Sequence, residues 1–596
     1  MKVFIAFILF GIRISIIVAQ TPSIEWQHCI GGSDGEDAIS ILQTTDSGYA
    51  VIGLGSSFDG DGIGTNGFGD YWLVRLNQDG SIRWSSIYGG SESDIPRCLI
   101  QKQDGGFLIV GTTLSNDGDV IFNHGYYDMW IICVNDTGEI EWQQSLGGSS
   151  FDFAYSIQQT FDGGFIVVGS SESLGGDVSN HHGPVGQEPD FWVVKLNNIG
   201  DIEWEHSYGG LEAEEATSVI QMADSGYVIA GYTTSNDGDV SGLHGMVGFY
   251  SDFWVIRIDS LGNLIWQHCL GGTGDEIAFA ITKTSADKCL ITGIAHSSDG
   301  DVTWEHPGDE LWVVQLETSG EIDWEQTYGG DNDDRGYGII SNSESDYYVI
   351  GTTKSYDEVT NWHGYIDYWL LNIDTIGNII SETCYGGSEQ EGSPYFLDLI
   401  DLKKTIDGGY IFAGSTQSND GDASGLHNAV GLGGDYWIVK LCNPNNEVWY
   451  YLDADSDGFG DSEISLKSCV IQEGYVTDST DCDDADPDIY PGATEELNGL
   501  DDDCDGWNDD GLAIDVNHSR EIKIYPNPTE GTLTVVSEKA DLSNLRLTNL
   551  FGQKCSFTAI NSEFGTFVID LAGLQSGIYY LTILGEVNTR FQILKL

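Results

Sequence analysis

Short apolar runs that alternate with polar positions, each bounded by Gly or Asp turns, fill most of this chain. Residues 37–90 show the unit. Ile39, Ile41 and Gln43 alternate up to the tight turn Asp46-Ser47-Gly48, and Tyr49-Ala50-Val51-Ile52 follows as a second apolar run. A polar loop carrying Asp59-Gly60-Asp61 leads to Asp70-Tyr71-Trp72-Leu73-Val74-Arg75-Leu76, and Asp79-Gly80 then turns into Ile82-Arg83-Trp84-Ser85. β-branched and aromatic runs separated by turn chemistry predict four antiparallel strands.

The unit recurs. Each copy closes on a Gly-Gly pair, beginning at Gly31, Gly89, Gly147, Gly209, Gly271, Gly329 and Gly386, at steps of 57 to 62 residues. A repeat of that length with strand signals predicts a radial array of small sheets. The third strand carries Trp72, Trp130, Trp192, Trp254, Trp312, Trp369 and Trp437. The fourth carries Trp26, Trp84, Trp142, Trp204, Trp266 and Trp324, with Ser381 in the remaining register. A fourth-strand pattern at 24–30 precedes any first strand, and the last copy, ending at Leu441, lacks one. The expected fold is therefore all-β: a seven-bladed β-propeller over residues 21–443, its N-terminal strand completing the last blade and covering its edge.

The ends and the composition narrow the class. Residues 1–19 read as a secretory signal peptide, with Lys2, an apolar core broken by Arg13, and Ile17-Val18-Ala19 at its end. The first Cys, Cys29, lies too far along for a lipoprotein anchor, and no later stretch is apolar enough to be a transmembrane segment. The net charge is −71, from 94 acidic and 23 basic residues, which argues against nucleic-acid or anionic-membrane partners. It suits solubility in a salty medium and the binding of divalent cations. Cys29, Cys269 and Cys384 share one register on separate blades; with Cys98, Cys133 and Cys289 they read as small buried apolar residues. Cys442, Cys469, Cys482 and Cys504 cluster where an exported protein can bridge them, in a pairing the sequence leaves open, and Cys555 is left over.

Residues 444–512 form an acidic module. Asp453, Asp455, Asp457 and Asp461 occupy loop positions 1, 3, 5 and 9, and Asp501, Asp503, Asp505 and Asp509 repeat that register. Alternating carboxylates with Gly458 or Gly506 at position 6 can curl around one hard cation, so calcium is the expected structural cofactor. Position 12 holds Ile464 and Leu512 in place of an EF-hand Glu, which points to weak, extracellular-type affinity. Asp481-Cys482-Asp483-Asp484, Tyr490-Pro491-Gly492-Ala493-Thr494-Glu495 and Asn498-Gly499-Leu500-Asp501 through Gly506 resemble the metal-binding repeat of bacterial surface proteins, a family that includes a copper-binding member. Many members have Cys where this chain has Leu497, and the module has no His, so copper is not carried over.

Residues 521–596 alternate as a small Ig-like β-sandwich with Gly and Pro turns. Tyr525-Pro526-Asn527-Pro528, Leu550-Phe551-Gly552, Leu574-Gln575-Ser576-Gly577-Ile578-Tyr579 and the terminal Lys595 resemble the type A sorting domain of the type IX secretion system. That resemblance implies Sec export from a two-membrane bacterium, recognition by the type IX machinery, removal of the domain, and release or attachment at the outer cell surface.

The loops between second and third strands are long and fall on the same face as acidic connections such as Glu212, Glu214 and Glu215. One elaborated, negative face is where a ligand is expected. Within these loops an acid precedes a His by five residues: Asp119 and His124, Asp177 and His182, Asp239 and His244, Asp301 and His306, Glu358 and His363, Asp422 and His427; Asp61 and Asn66 occupy the first copy. One His and one carboxylate are too few for zinc, so a hydrogen-bonded clasp is expected. Trp304 and Trp362 are candidate ligand-binding residues for stacking on sugars. Acids in every copy leave no single catalytic pair, and no catalytic residue is assigned. The expected function is binding, to a polysaccharide or another surface protein. A glycan-active hydrolase or lyase, or purely structural display, are the alternatives.

Overall fold

The computed structural model describes residues 21–508, apart from 62–63, 65–66, 68, 185, 304–307, 357–358, 393–399, 428–432 and 497, and residues 522–596, apart from 538–544, 564–565 and 584–588. The signal-peptide reading, Trp304, His306, Asn66, Glu358 and Asp509 lie outside the described residues. Contacts divide the chain into two compact units, residues 1–487 and 488–596. Every regular element among the described residues is a β-strand.

Seven four-stranded antiparallel sheets, each like a propeller blade, follow one another in the first unit. Sheet one runs Asp37–Gln43, Tyr49–Gly55, Asp70–Leu76 and Ile82–Tyr88, matching the four strands read from the sequence. Sheets two to six repeat it from Asp94, Asp152, Glu214, Glu276 and Asp334. Sheet seven comprises Asp401–Lys404, Tyr410–Thr416 and Asp435–Leu441, and its fourth strand is Ile24–Ile30 from the N-terminus, paired with Cys29 opposite Trp437. Each first strand neighbours the first strands of the sheets before and after it, and Asp401–Lys404 neighbours Asp37–Gln43.

The alternation sorts side chains by depth. Second and third strands are buried along nearly their whole length, because both faces of these strands meet neighbouring sheets. The residue before a third-strand Trp packs on the Trp of the next sheet: Tyr71 on Trp130 at 4.8 Å, Phe191 on Trp254 at 4.5 Å and Phe253 on Trp312 at 4.6 Å. Tyr436 on Trp72, at 4.8 Å, joins sheet seven to sheet one in the same manner. Each such contact contributes about 0.5–1.5 kcal/mol beyond its buried area.

A buried indole N–H needs an acceptor. Six third-strand Trp residues find it on the fourth strand, one place after the marker position: Trp130 donates to Gln143, Trp192 to Glu205, Trp254 to Gln267, Trp312 to Glu325, Trp369 to Glu382 and Trp437 to Gln27. In sheet one that place is Ser85, which is too short to reach, and the Trp72 Nε1–H is buried with no partner among the described residues.

The acidic module contributes a three-stranded sheet, Val448–Leu452, Ser465–Ser468 and Tyr475–Val476, and Cys442 is bonded to Cys469. Cys482 and Cys504 are each disulfide-bonded. Of the Cys residues expected to be buried, Cys133, Cys269, Cys289 and Cys384 are, whereas Cys29 and Cys98 are only half-buried because their strands present one side to solvent. In the second unit a four-stranded and a three-stranded sheet share a core that includes Leu533, Val535, Leu547, Ile569, Leu581 and Ile593.

Ser85→Gln supplies the missing acceptor for Trp72. We expect it to raise unfolding stability by about 1 kcal/mol, the net worth of one satisfied hydrogen bond, in a denaturant or thermal melt; an unchanged or lower midpoint contradicts the assignment.

Candidate functional site

The Gly-Gly pairs sit where adjacent sheets meet. Between sheets two and three, a Cβ on Gly147 would lie 2.5 Å from Asp152 Oδ2 and 2.9 Å from Asp128 Oδ1, and one on Gly148 would lie 2.6 Å from the Gly175 carbonyl oxygen. No side chain fits there. Gly148 N–H donates to Asp152 Oδ2 at 2.7 Å, Ser173 Oγ–H to the same oxygen at 2.8 Å, and Ser171 Oγ–H to Oδ1. Gly32, Gly90, Gly210, Gly272 and Gly330 make the same amide contact to Glu36, Asp94, Glu214, Glu276 and Asp334 at 2.8–3.0 Å. Each junction thus buries two facing acids, one from the third strand of one sheet and one in, or ahead of, the first strand of the next.

The loop His residues close these junctions from outside. His124 sets Nδ1 2.7 Å from Asp128 Oδ2, and its backbone N–H donates to the same oxygen at 2.6 Å. His182, His244, His363 and His427 do likewise with Asp190, Asp252, Asp367 and Asp435. Their Nε2 atoms face the loop acid of the following sheet: His124 to Asp177 at 3.7 Å, His182 to Asp239 at 3.5 Å, His244 to Asp301 at 3.8 Å and His363 to Asp422 at 3.8 Å. His427 faces Asp61 at 3.4 Å, from sheet seven to sheet one. The expected clasp exists, but its acid is not the one five residues upstream. It is the third-strand acid of the same sheet together with the counterpart loop acid of the next, so the clasp ties sheets rather than a single loop.

Burial acts on these groups. It pushes Glu36 up to about 7, Asp152 to about 6, and Glu214 and Glu391 to about 8. His244 and His427 titrate above the usual range: the bond and charge of Asp252 and Asp435 outweigh the opposing effect of burial.

The two acidic loops of the module fold alike. Asp453 accepts from the N–H of Asp457 at 3.1 Å and of Gly458 at 3.2 Å, and Asp501 accepts from Asp505 at 3.1 Å and Gly506 at 2.8 Å. Ser456 and Cys504 occupy the same left-handed position, at φ of 70° and 54°. In the first loop, oxygens of Asp453, Asp455 and Asp484 lie within 4.8 Å of one another, as do those of Asp455, Asp457 and Asp481. Asp455, Asp457 and Asp481 each bury an Oδ2 with no partner among the described residues. Burial and the like charge of Asp457 push Asp455 and Asp481 up. Asp461 is not in these groups; its Oδ1 accepts from the Glu463 N–H at 2.7 Å. In the second loop Asp501 and Asp503 gather with Glu495, which is 7 % exposed and whose Oε2 has no partner among the described residues. Asp505 instead caps the Trp507 N–H at 3.0 Å. Asp481, Asp484 and Glu495 escaped the loop-spacing rule because they come from outside the loops; the resemblance ran through them without assigning them a role.

A further feature was not legible in sequence. Each described first strand from sheet one to sheet six carries a bulge, at Ile39, Arg97, Tyr155, Thr217, Phe279 and Tyr337, since pairing skips that residue. A bulge re-aims its side chain. Neighbouring bulged residues meet: Arg97 lies over the Tyr155 ring at 5.4 Å, and Phe279 packs on Tyr337 at 5.0 Å. Trp362 is 38 % exposed and packs at 5.9 Å from Tyr356.

Residues 523–594 match the family model described as "Secretion system C-terminal sorting domain", and residues 481–510 match "Putative metal-binding motif". The sorting domain belongs to type IX secretion, so the protein is exported to the cell surface or beyond, and that domain meets the secretion machinery. No helix of the described residues is long and apolar enough to cross a membrane. No curated protein matches the chain. Among solved structures it is similar to a protein of unknown function from Bacteroides caccae (11 % identity, 59 % of this chain and 94 % of that one, TM-score 0.31). It is also similar to the Neurospora crassa Pan2 WD40 domain (9 %, 70 % and 95 %, TM-score 0.36) and to a PL25 ulvan lyase (9 %, 70 % and 96 %, TM-score 0.39). At these scores the likenesses carry no functional meaning.

Glu36, Asp152, Glu214, Glu391, His244 and His427 hold protons in the folded state at pH values where the unfolded chain has released them. Their stabilisation is present at low pH and is lost as pH rises through about 6 to 8. The unfolding temperature in calcium-free buffer should therefore rise when pH falls from about 8.5 to about 5.5, and Glu214→Gln should shrink that rise. A melting temperature that drops over this interval contradicts the proton-holding junction.

Proposed function

We propose that the seven sheets close into a seven-bladed propeller that acts as a binding module on the cell surface or in the medium, without catalysis. The observation that carries this reading is the contrast between copies. The junctions repeat almost unchanged, while the bulged first-strand residues and the long loops on one end of the sheets differ in chemistry from copy to copy. The neighbouring first strands of sheets seven and one support closure of the ring.

The acidic loops are calcium sites in this reading. Asp453, Asp455, Asp457, Asp481 and Asp484 would hold one ion, and Glu495, Asp501 and Asp503 another. Oxygen-only donor sets with buried, unpartnered carboxylate atoms suit a hard cation. Bound calcium would neutralise crowded carboxylates and stiffen the module. The occupant of the propeller is a polysaccharide or another surface protein.

Calorimetric titration of the full chain with calcium should show two sites in roughly the 10⁻⁴–10⁻³ M range, with Asp457→Asn removing one and Glu495→Gln the other. Absence of heat in the unsubstituted protein would falsify the calcium reading. A polysaccharide pull-down with and without calcium tests the binding role; turnover of any polysaccharide, abolished by substituting loop carboxylates, would make the protein an enzyme instead.

A further inference from the structure

Sheet three differs from its two neighbours at three alternate, half-buried positions of its entry and first strand. Phe151, Phe153 and Tyr155 stand where sheet two has Ser93, Ile95 and Arg97 and sheet four has Ala213, Glu215 and Thr217. Tyr126 and Tyr127, from the loop before the third strand of sheet two, join them. Tyr126 stacks on Phe151 at 5.2 Å with planes 11° apart, Phe151 lies beside Phe153 at 6.1 Å and 15°, and Phe153 beside Tyr155 at 6.3 Å and 30°. Tyr127 backs the strip at 5.8 Å from Phe153. The strip runs from a loop residue that is 60 % exposed down to the bulged Tyr155.

The end of the strip is polar. Arg97 rests over Tyr155 at 5.4 Å and has no carboxylate partner among the described residues. On the other side the Tyr155 hydroxyl donates to Glu215 at 2.9 Å. A cation and a carboxylate on either side of one ring offer donors and an acceptor at the end of the aromatic strip.

We infer that this strip is the binding site for a neutral pyranose polymer, which deepens the proposed binding function and rests on it. A pyranose presents an apolar C–H face, which aromatic planes cover, and a hydroxyl edge, which Arg97 and Glu215 satisfy. Tyr126, the exposed ring at the loop end, offers the stacking face, and the rings packed behind it extend an apolar flank towards Arg97 and Glu215. Net charge decides between neutral and acidic polymers: at −71 the protein repels polyanions, and a single guanidinium beside a carboxylate does not offset that. The same charge disfavours nucleic acid, the other common partner of stacked aromatic rings.

The test uses the full chain in calcium-containing buffer, with cellohexaose, laminarihexaose and mannohexaose as neutral probes and polygalacturonate as the acidic one, measured by calorimetry. At least one neutral oligosaccharide should bind with an affinity insensitive to salt. Tyr126→Ala, on an exposed ring, and Arg97→Gln should each weaken it roughly tenfold. Tyr365→Ala, the same register in sheet six and 66 % exposed, should leave it unchanged. Binding that survives both Tyr126→Ala and Arg97→Gln, or that prefers polygalacturonate, overturns this site while the binding function stands. If no polysaccharide binds the unsubstituted protein, the site and the polysaccharide reading fall together.

Discussion

The structure depends on one crowded contact, repeated at each meeting of two sheets: a glycine pair pressed between buried acids. Successive sheets share no backbone hydrogen-bond ladder, so their mutual angle must come from side chains and loops. Gly147 and Gly148 allow the backbone to pass close enough for Asp152 to collect an amide and two hydroxyl donors at once. His124 then binds Asp128 of its own sheet and faces Asp177 of the next. Apolar packing, as of Tyr71 on Trp130, supplies attraction without direction. The acid and glycine contacts supply the direction.

That division explains which parts of the fold were legible in sequence. Strands, turns and the borrowed fourth strand of sheet seven follow from periodicity, because burial on alternating positions writes itself into residue type. Partners across a junction do not. The acid that lies five residues before each described loop His is near in sequence, yet the Nε2 of that His meets the corresponding acid one repeat later. Only the stacking of one sheet on the next makes that choice. The bulge at Tyr155 is likewise invisible, since a skipped residue changes no composition; it shows only in the slipped pairing of Ala154 and Ser156 with Gly169 and Val168.

The acidic loops give the complementary lesson. Their shared turn was readable because position 6 must be Gly and alternate positions must be Asp, and the two loops do fold with the same hydrogen bonds. The composition of each carboxylate group was only half readable. Asp481, Asp484 and Glu495 complete the clusters from neighbouring segments, while Asp461 and Asp505 spend an oxygen on capping backbone amides. Spacing identifies residues that one loop can bring together. It says nothing of those delivered by a second segment.

These two uses of acid bear on the charge of the protein. The formal −71 counts each carboxyl as ionised. Inside the junctions, burial holds Glu214 and Glu391 protonated to about pH 8, and Asp252 and Asp435 raise the titration of His244 and His427 above the usual range. Desolvation makes a neutral acid or an ion pair the lower-energy state there. The folded protein at neutral pH therefore carries less charge than its composition implies, and what remains is concentrated in exposed loops and in the acidic module. An acidic exterior around proton-holding seams keeps like charges apart where they would strain the sheets, and leaves the aromatic strip of sheet three as a local apolar exception on a negative surface.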